Sequence, residues 1–103
     1  MERIVVGMAD CRVAAEPGAV LITYALGSCI GLTMYDPVTG VGGLLHFMLP
    51  DSTLDPARSA QNPCMFADTG IAWLLQNLTA RGASKPPQSE TTRLRRVERR
   101  VQA

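Results

Sequence analysis

The first half of the chain alternates short apolar runs with turn-forming residues, a pattern typical of consecutive β-strands. Four apolar runs predict strands over residues 2–8, 19–24, 29–35 and 41–49. Pro or Gly stands in the breaks between the runs, over residues 15–18, 26–28 and 36–40. These two residue types favour turns because Pro fixes φ and Gly tolerates positive φ. Pro50 is expected to end the fourth strand.

The spacing of apolar residues becomes helical after a polar loop over residues 51–63. The residues that recur at this spacing are Met65, Ile71, Ala72, Leu74, Leu75 and Leu78. They predict one main helix over about residues 64–81, which starts near Asn62-Pro63 and stops at Gly82. Strands followed by one amphipathic helix predict a sheet that packs on that helix. The fold class is therefore predicted to be α+β and layered, with mostly antiparallel strands.

Composition and charge change at about residue 84. Residues 1–83 carry four basic and seven acidic side chains, whereas residues 84–103 carry six basic and two acidic ones. We therefore divide the chain into one domain of residues 1–83 and a polar, Arg-rich tail of residues 84–103. The tail is expected to be solvated and disordered. A short basic amphipathic helix is the alternative, since Leu94, Val97 and Val101 are three and four residues apart.

The apolar runs and the cysteines also predict the compartment of the protein. Nothing in the chain approaches the roughly 20 apolar residues of a membrane-spanning helix, and the run over residues 4–8 lacks the features of a signal peptide. We expect a cytoplasmic protein without membrane insertion. Its cysteines, Cys11, Cys29 and Cys64, should then remain free thiols. One histidine and no CxxC pair are a poor basis for a structural zinc site, which usually takes four ligands, so no metal and no other cofactor is predicted.

The third and fourth predicted strands form a hairpin whose register can be worked out. A four-residue loop over residues 37–40 places Gly40 where positive φ is needed. Counting outward from this loop makes Gly31 face His46. Cys29 and His46 then lie on one side of the sheet as diagonal neighbours, about 7–8 Å apart at the backbone. A thiol and an imidazole can close that gap, because Gly31 has no side chain to separate them.

The register also assigns a composition to each face of the hairpin. The face predicted to be core carries Ile30, Leu32, Met34, Leu45 and Phe47. The opposite face is smaller and more polar, which predicts room for a substrate, and it carries Cys29, Gly31, Thr33, Gly42, Leu44 and His46.

Two interpretations of Cys29 and His46 remain open from the residues alone. They are either a catalytic pair or, more ordinarily, a buried small side chain and a structural histidine. Gly27 and Ser28 favour the catalytic pair, because a turn just before the strand lets backbone N–H groups point at an incoming oxyanion.

Three runs of residues closely resemble the CheD family of chemoreceptor glutamine deamidases. They are TYALGSCIGL over residues 23–32, GLLHFMLPDS over residues 43–52 and FADTGI over residues 66–71. The likeness extends from about Arg3 to Ala83. The combination of GSC, HxMLP and ADT at these separations is more specific than any one motif.

The resemblance implies a fold, an activity and a set of partners. The fold is a CheD-like α/β/β layered sandwich, and the activity is hydrolysis of glutamine side chains to glutamate through a thioester, with release of ammonia. The implied catalytic residues are Cys29 as nucleophile, His46 as base and Thr23 as an assisting group, with Ser28 and Gly27 at the substrate or the oxyanion. The implied partners are methyl-accepting chemotaxis receptors and a CheC-type phosphatase.

The tail departs from the family pattern. Family members add further strands after the main helix, whereas residues 84–103 resemble none of them, which predicts a fold that is incomplete at its C-terminus. Two alternatives to an active deamidase therefore remain: a non-catalytic chemotaxis binding module and a degenerate fragment without activity. Five arginines in a short tail are weak grounds for nucleic acid, so no nucleic-acid partner is predicted.

Overall fold

The computed structural model describes residues 3–16, 18–24, 29–36, 38–83, 88–92 and 99–102 of the 103-residue chain. The strands are β1 (Arg3–Val5), β2 (Asp10–Ala14), β3 (Val20–Thr23), β4 (Ile30–Tyr35), β5 (Gly42–Phe47), β6 (Gln88–Thr92) and β7 (Arg99–Gln102). The helices are α1 (Pro56–Gln61) and the main helix α2 (Ala67–Ala80), with 3-10 turns at Ser52–Leu54 and Pro63–Met65. Neither helix in this described part is long and apolar enough to cross a membrane.

The strands form two sheets in which most neighbours are antiparallel. The first sheet has the order β1-β3-β7, with β1 parallel and β7 antiparallel to β3. The second has the order β2-β5-β4-β6, and all its pairs are antiparallel. The α+β prediction, with mostly antiparallel strands and one main helix, is confirmed.

Two apolar clusters hold three layers together. One lies between α2 and the second sheet, and its fully or nearly fully buried members include Leu32, Met34, Leu45, Phe47, Leu74 and Leu78. The other lies between the two sheets and contains Val6, Ala14, Ala19, Leu21 and Leu44. The second sheet is thus covered on both faces, in an order of helix, sheet and sheet. This order agrees with the α/β/β sandwich that the resemblance implies.

The hairpin of β4 and β5 has the register that its turn chemistry predicts. Gly31 pairs with His46, and Ile30 pairs with Phe47. Gly40 has a φ of 78°, a conformation that glycine adopts without strain. The buried carboxylate of Asp36 also supports the turn, because it accepts hydrogen bonds from the Val38 N–H and the Thr39 hydroxyl at 3.0 and 2.8 Å.

Strand β2 is the one element of the first half that the pattern does not predict. Its five residues, Asp10–Ala14, include two charged side chains and only one β-branched residue, Val13. The strand forms because it pairs with β5 along its whole length, from Asp10 opposite His46 to Ala14 opposite Gly42. A tertiary partner, and not intrinsic propensity, decides its structure.

The segment predicted as a polar loop over residues 51–63 contains helical structure. Asp55 caps α1 by accepting a hydrogen bond from the Arg58 N–H at 3.1 Å, and Pro56 occupies the first turn. Asn62 caps the next turn in the same way through the Cys64 N–H at 3.0 Å. Because that turn is a separate 3-10 element, α2 begins at Ala67 and not at about residue 64.

The structure describes two short strands within residues 84–103, and the predicted disorder of the tail as a whole stays a prediction. Backbone of β6 pairs with β4, and backbone of β7 pairs with β3. Unpaired N–H and C=O groups at the edge of a sheet accept a partner strand whatever its side-chain pattern, which explains why periodicity did not predict these pairings. Val101 of the alternative helix lies in β7, while Leu94 and Val97 lie outside the described residues. The boundary between domain and tail at residue 83 stays a prediction.

Cys11 and Cys64 correct the prediction of three free thiols. The structure joins them in a disulfide whose Cα atoms are 6.1 Å apart, and Cys29 is the free, buried cysteine. The bond closes a loop with a sequence separation of 53 residues. The chain-entropy relation for such a loop gives a stabilisation of about 4 kcal/mol.

Gly43 provides a test of the helix-to-sheet packing. A Cβ atom at this position would lie 2.7 Å from the Cδ1 atom of Leu74, which is completely buried, and 3.3 Å from a methyl group of Leu78. Gly43→Ala should therefore force α2 away from β5 and lower the free energy of unfolding by about 1–3 kcal/mol. Gly7→Ala is the matched control, because nothing lies within 4 Å of its added methyl group. Thermal denaturation that shows equal stabilities for both variants would contradict this packing.

Candidate active site

His46 lies between three strands at the interface of the two sheets. It is the fifth residue of β5, opposite Gly31 on β4 and opposite Asp10 on β2. Its side chain is completely buried. Cys29 directly precedes β4 and is 8% exposed. Because Cys29 is two residues before Gly31, the paired register puts it on the His46 side of the sheet.

Thr23, at the end of β3, reaches His46 from the other sheet. Its Oγ1 atom lies 2.8 Å from His46 Nδ1 and 2.6 Å from the backbone oxygen of Val6. A carbonyl oxygen can only accept, so the single hydroxyl proton of Thr23 points to Val6. Oγ1 therefore accepts a hydrogen bond from the Nδ1–H of His46. This arrangement determines the tautomer of the neutral ring, in which Nε2 carries no proton.

The Nε2 atom of His46 is a buried acceptor without a hydrogen-bond partner in the described part of the chain. An unsatisfied buried polar atom costs about 1–3 kcal/mol, so it calls for an explanation. A neutral imidazole nitrogen without a proton can accept one, so this atom is chemically able to act as a general base. Cys29 lies on the same side of the sheet but makes no hydrogen bond to Nε2 in this structure. Such bonds often tighten only when substrate binds.

Burial lowers the pKa of His46 from its ordinary value of 6.5, because the desolvated ring resists taking up a charge. The neutral, proton-accepting form therefore persists to lower pH than in a solvated histidine. This electrostatic setting suits a base that must be unprotonated before it reacts.

The surroundings of the pair differ from expectation. The polar face of the hairpin was predicted to have room for a substrate, but the first sheet covers it, leaving Leu44 fully buried and Thr33 7% exposed. The order of the layers explains the difference, because a hairpin pattern does not show that a second sheet lies above it. Met48 is 39% exposed and follows His46 by two residues, which makes it the open end of this face.

Two predicted site residues cannot be placed, and two groups beside His46 and Thr23 were not predicted. Gly27 and Ser28, the predicted oxyanion or substrate residues, lie outside the described residues. Sequence reasoning missed the Val6 carbonyl, which orients Thr23, and Asp10, which faces His46. Neither has a sequence signal, since one is a backbone atom and the other belongs to the unpredicted strand β2. Among the described side chains, no group of three or more His, Cys, Asp or Glu could hold a metal ion.

The buried histidine predicts a specific dependence of stability on pH. An unfolded histidine titrates near 6.5, and the folded pKa is lower, so the unfolded state binds more protons between the two values. Stability should be complete above about pH 6.5 and decrease as the pH falls below it. The chain has one histidine, so this window reports His46. The lowered carboxyl pKa values of Glu16 and Asp68 place their titrations at more acidic pH.

Thermal melts of the wild type and of His46→Gln between about pH 5 and 7 measure this effect. The melting temperature of the wild type should fall towards the acidic end, whereas that of His46→Gln should change little. Equal slopes in the two proteins would show that His46 is not the titrating group.

Comparison with known proteins identifies the relatives of this chain. The family model described as "CheD chemotactic sensory transduction" matches residues 48–90. The match extends seven residues beyond Ala83, the approximate end of the predicted likeness.

Three curated relatives match over 85 residues, or 82% of this chain. A protein of Solibacter usitatus (strain Ellin6076), named "Probable chemoreceptor glutamine deamidase CheD", is 62% identical and is covered over 50% of its length. A protein of Syntrophus aciditrophicus (strain SB), named "Probable chemoreceptor glutamine deamidase CheD 1", is 51% identical and is covered over 53% of its length. A protein of Anaeromyxobacter dehalogenans (strain 2CP-C), named "Probable chemoreceptor glutamine deamidase CheD 2", is 49% identical and is covered over 54% of its length.

These matches include the candidate site. Any match over 85 of 103 residues contains residues 19–85, and so Thr23, Cys29 and His46. The chain spans about half the length of the curated relatives that it matches. Identity of this extent, together with the family model, shows that the chain belongs to the CheD family.

Proposed function

We propose that the chain carries the reactive centre of a chemoreceptor glutamine deamidase, with Cys29 as nucleophile and His46 as base. The observation that carries the proposal is the hydrogen bond from His46 Nδ1–H to Thr23, which leaves Nε2 buried, without a hydrogen-bond partner among the described residues, on the side of the sheet where Cys29 lies. The names of the relatives supply the reaction and the substrate, because each is described as a probable chemoreceptor glutamine deamidase.

The first half of the reaction forms a thioester. Nε2 of His46 takes the thiol proton of Cys29, and the sulfur attacks the side-chain carbonyl carbon of a glutamine. The carbonyl oxygen becomes an oxyanion, which backbone N–H groups near Gly27 and Ser28 would stabilise in this proposal. When the oxyanion collapses, the C–N bond breaks. The proton on Nε2 passes to the departing nitrogen, and ammonia leaves.

The second half releases glutamate. Water enters where ammonia left, and Nε2 takes one of its protons as the oxygen attacks the thioester carbon. The C–S bond then breaks, and the sulfur recovers a proton from the imidazolium. Every proton passes through one nitrogen of His46, so the reaction needs no cofactor.

Thr23 is a positioning residue in this scheme. It holds the ring from the Nδ1 side, and its bond to the Val6 carbonyl prevents it from donating to that nitrogen. The proton-accepting lone pair is therefore on Nε2 in the neutral ring. A ring in the other tautomer would present an N–H to the thiol and could not accept its proton.

The same proposal names the partners and the place of action. The substrates are glutamines of methyl-accepting chemotaxis receptors, as the names of the relatives suggest, and the compartment is the cytoplasm. A CheC-type phosphatase is proposed as a second partner from the family resemblance.

A non-catalytic chemotaxis binding module is the second candidate function. The observation that favours it is burial, because His46 is inaccessible and Cys29 is 8% exposed. A substrate glutamine that enters from the side of Met48 has to displace the surroundings of the thiol before it meets it. A binding module needs no such movement. Retention of an unprotonated Nε2 on the same face as a free cysteine favours the enzyme.

The nucleophile can be tested with receptor protein as substrate. Cys29→Ala should reduce ammonia release from a purified receptor cytoplasmic fragment by about 1000-fold or more, because it removes the thiol that the proposal assigns to the attack. Mass spectrometry of receptor peptides should show amide-to-acid conversion with the wild type only. Cys11→Ala, assayed in reducing buffer, is the matched cysteine control and should retain turnover. Conversion by Cys29→Ala at the wild-type rate would end the enzymatic proposal.

The positioning role of Thr23 can be separated from a purely structural one. Thr23→Val removes the hydroxyl and should lower kcat by about 10-fold or more, since alignment of the base contributes part of the roughly 100- to 10,000-fold effect of proton transfer. Thr23→Ser keeps the hydroxyl and should restore most of the rate. The pH profile of kcat/KM should shift in Thr23→Val and not in Thr23→Ser. Equal loss in both variants would assign Thr23 to packing alone.

A further inference from the structure

Cys11 and Cys64 form a pair that the proposed reaction does not use. They are 53 residues apart in sequence, yet their Cα atoms lie 6.1 Å apart and their sulfur atoms are bonded. Both residues are buried, at 3% and 7% exposure. A disulfide in a protein proposed to act in the reducing cytoplasm is more typical of a redox-responsive site than of a permanent cross-link.

One end of the pair adjoins the strand that carries the base. Cys11 is the second residue of β2 and pairs with Leu45, the residue directly before His46. Its neighbour Asp10 pairs with His46 itself. A constraint on Cys11 is therefore a constraint on the backbone beside the proposed catalytic residue.

The other end lies in a turn that holds the end of β5. Cys64 is the central residue of Pro63–Met65, and the carbonyl oxygen of Met65 accepts hydrogen bonds from the N–H groups of Met48 and Leu49 at 2.9 and 3.1 Å. These two residues directly follow β5 and are about 40% exposed. The turn thus determines the position of the open end of the site.

Asn62 connects the two ends. Its side-chain oxygen accepts a hydrogen bond from the Cys64 N–H at 3.0 Å, and its side-chain nitrogen donates to the Ala9 carbonyl at 2.8 Å. Ala9 precedes β2 and has a φ of 55°, which is uncommon for a residue other than glycine. With the disulfide intact, β2, the turn and the end of β5 are held by one covalent bond and four hydrogen bonds.

We propose that Cys11 and Cys64 are a reversible thiol-oxidation site that controls access to Cys29. In the oxidised form the cross-link keeps Met48 and Leu49 against the turn, and the Cys29 side of the sheet stays closed. In the reduced form hydrogen bonds and apolar packing hold the turn without the covalent bond, so this end of the site opens more often. The effect on turnover rests on the proposed deamidase function, whereas the effect on access to Cys29 does not.

The oxidation proceeds by exchange with a low-molecular-weight disulfide such as glutathione disulfide. One protein thiolate attacks a sulfur of that disulfide, which breaks the S–S bond, forms a mixed disulfide and releases one small thiol. The second protein thiolate then attacks the protein sulfur of the mixed disulfide and releases a second small thiol. Two protein thiols and one small disulfide become one protein disulfide and two small thiols, so two electrons and two protons pass to glutathione.

The first experiment measures whether the disulfide between Cys11 and Cys64 forms and breaks reversibly. The full chain is equilibrated in mixtures of reduced and oxidised glutathione without denaturant, blocked by alkylation and analysed by peptide mass spectrometry. Cys11 and Cys64 should become linked under oxidising mixtures and return to two thiols under reducing ones, in the wild type and in Cys29→Ala alike. A pair that never links, or that resists reduction until denaturant is added, would overturn the proposal.

The second experiment measures access to Cys29. Its alkylation by iodoacetamide should be at least about tenfold slower in the oxidised wild type than in the reduced one, because the cross-link suppresses local opening. Cys11→Ala and Cys64→Ala should show the fast, reduced-type rate in both buffers. Equal rates for the oxidised and reduced wild type would refute the coupling.

Deamidation assays on the oxidised and reduced protein, without alkylation, distinguish the two proposals. Redox-dependent alkylation of Cys29 without any glutamine conversion supports the oxidation site and contradicts the proposed enzyme. Glutamine conversion at the same rate in both redox forms, together with equal alkylation rates, supports the enzyme and contradicts the oxidation site.

Discussion

The hydrogen bond between Thr23 and His46 is the interaction on which the rest of the candidate site depends. It crosses the interface of the two sheets, where an unpaired polar group costs about 1–3 kcal/mol. Because these two side chains meet, the sheets pack together without that cost at Thr23 and at His46 Nδ1. The same contact orients the imidazole, so the packing of the sheets and the orientation of the ring depend on one interaction.

The layers around this bond explain why the site is both ordered and enclosed. Helix α2 covers one face of the second sheet, and the first sheet covers the other, with apolar residues such as Leu45 and Leu44 filling the two interfaces. His46 belongs to the inner interface and is desolvated there, which lowers its pKa and keeps the ring neutral. Enclosure thus keeps the imidazole neutral while it shields the ring from solvent.

Local signals in the sequence were sufficient for some elements and insufficient for others. The hairpin of β4 and β5 was predictable, including the pairing of Gly31 with His46, because a turn and strict alternation determine register within about 20 residues. Strand β2 and the pairing of Cys11 with Cys64 were not predictable, since both arise from contacts between segments distant in sequence. Thr23 entered the candidate site through family resemblance alone. Its contact with His46 lies between sheets, and no periodicity reports such a contact.

The acceptor that orients Thr23 is the main-chain oxygen of Val6, and this choice has an evolutionary consequence. A backbone carbonyl is present whatever amino acid occupies the position, so residue 6 can change among apolar types of similar volume while the proton on Thr23 keeps its direction. Position 23 has no such freedom, because only serine and threonine place a hydroxyl there on so short a side chain. Substitutions should therefore be tolerated at position 6, which supplies the acceptor of this hydrogen bond. They should be rare at position 23, which supplies the donor.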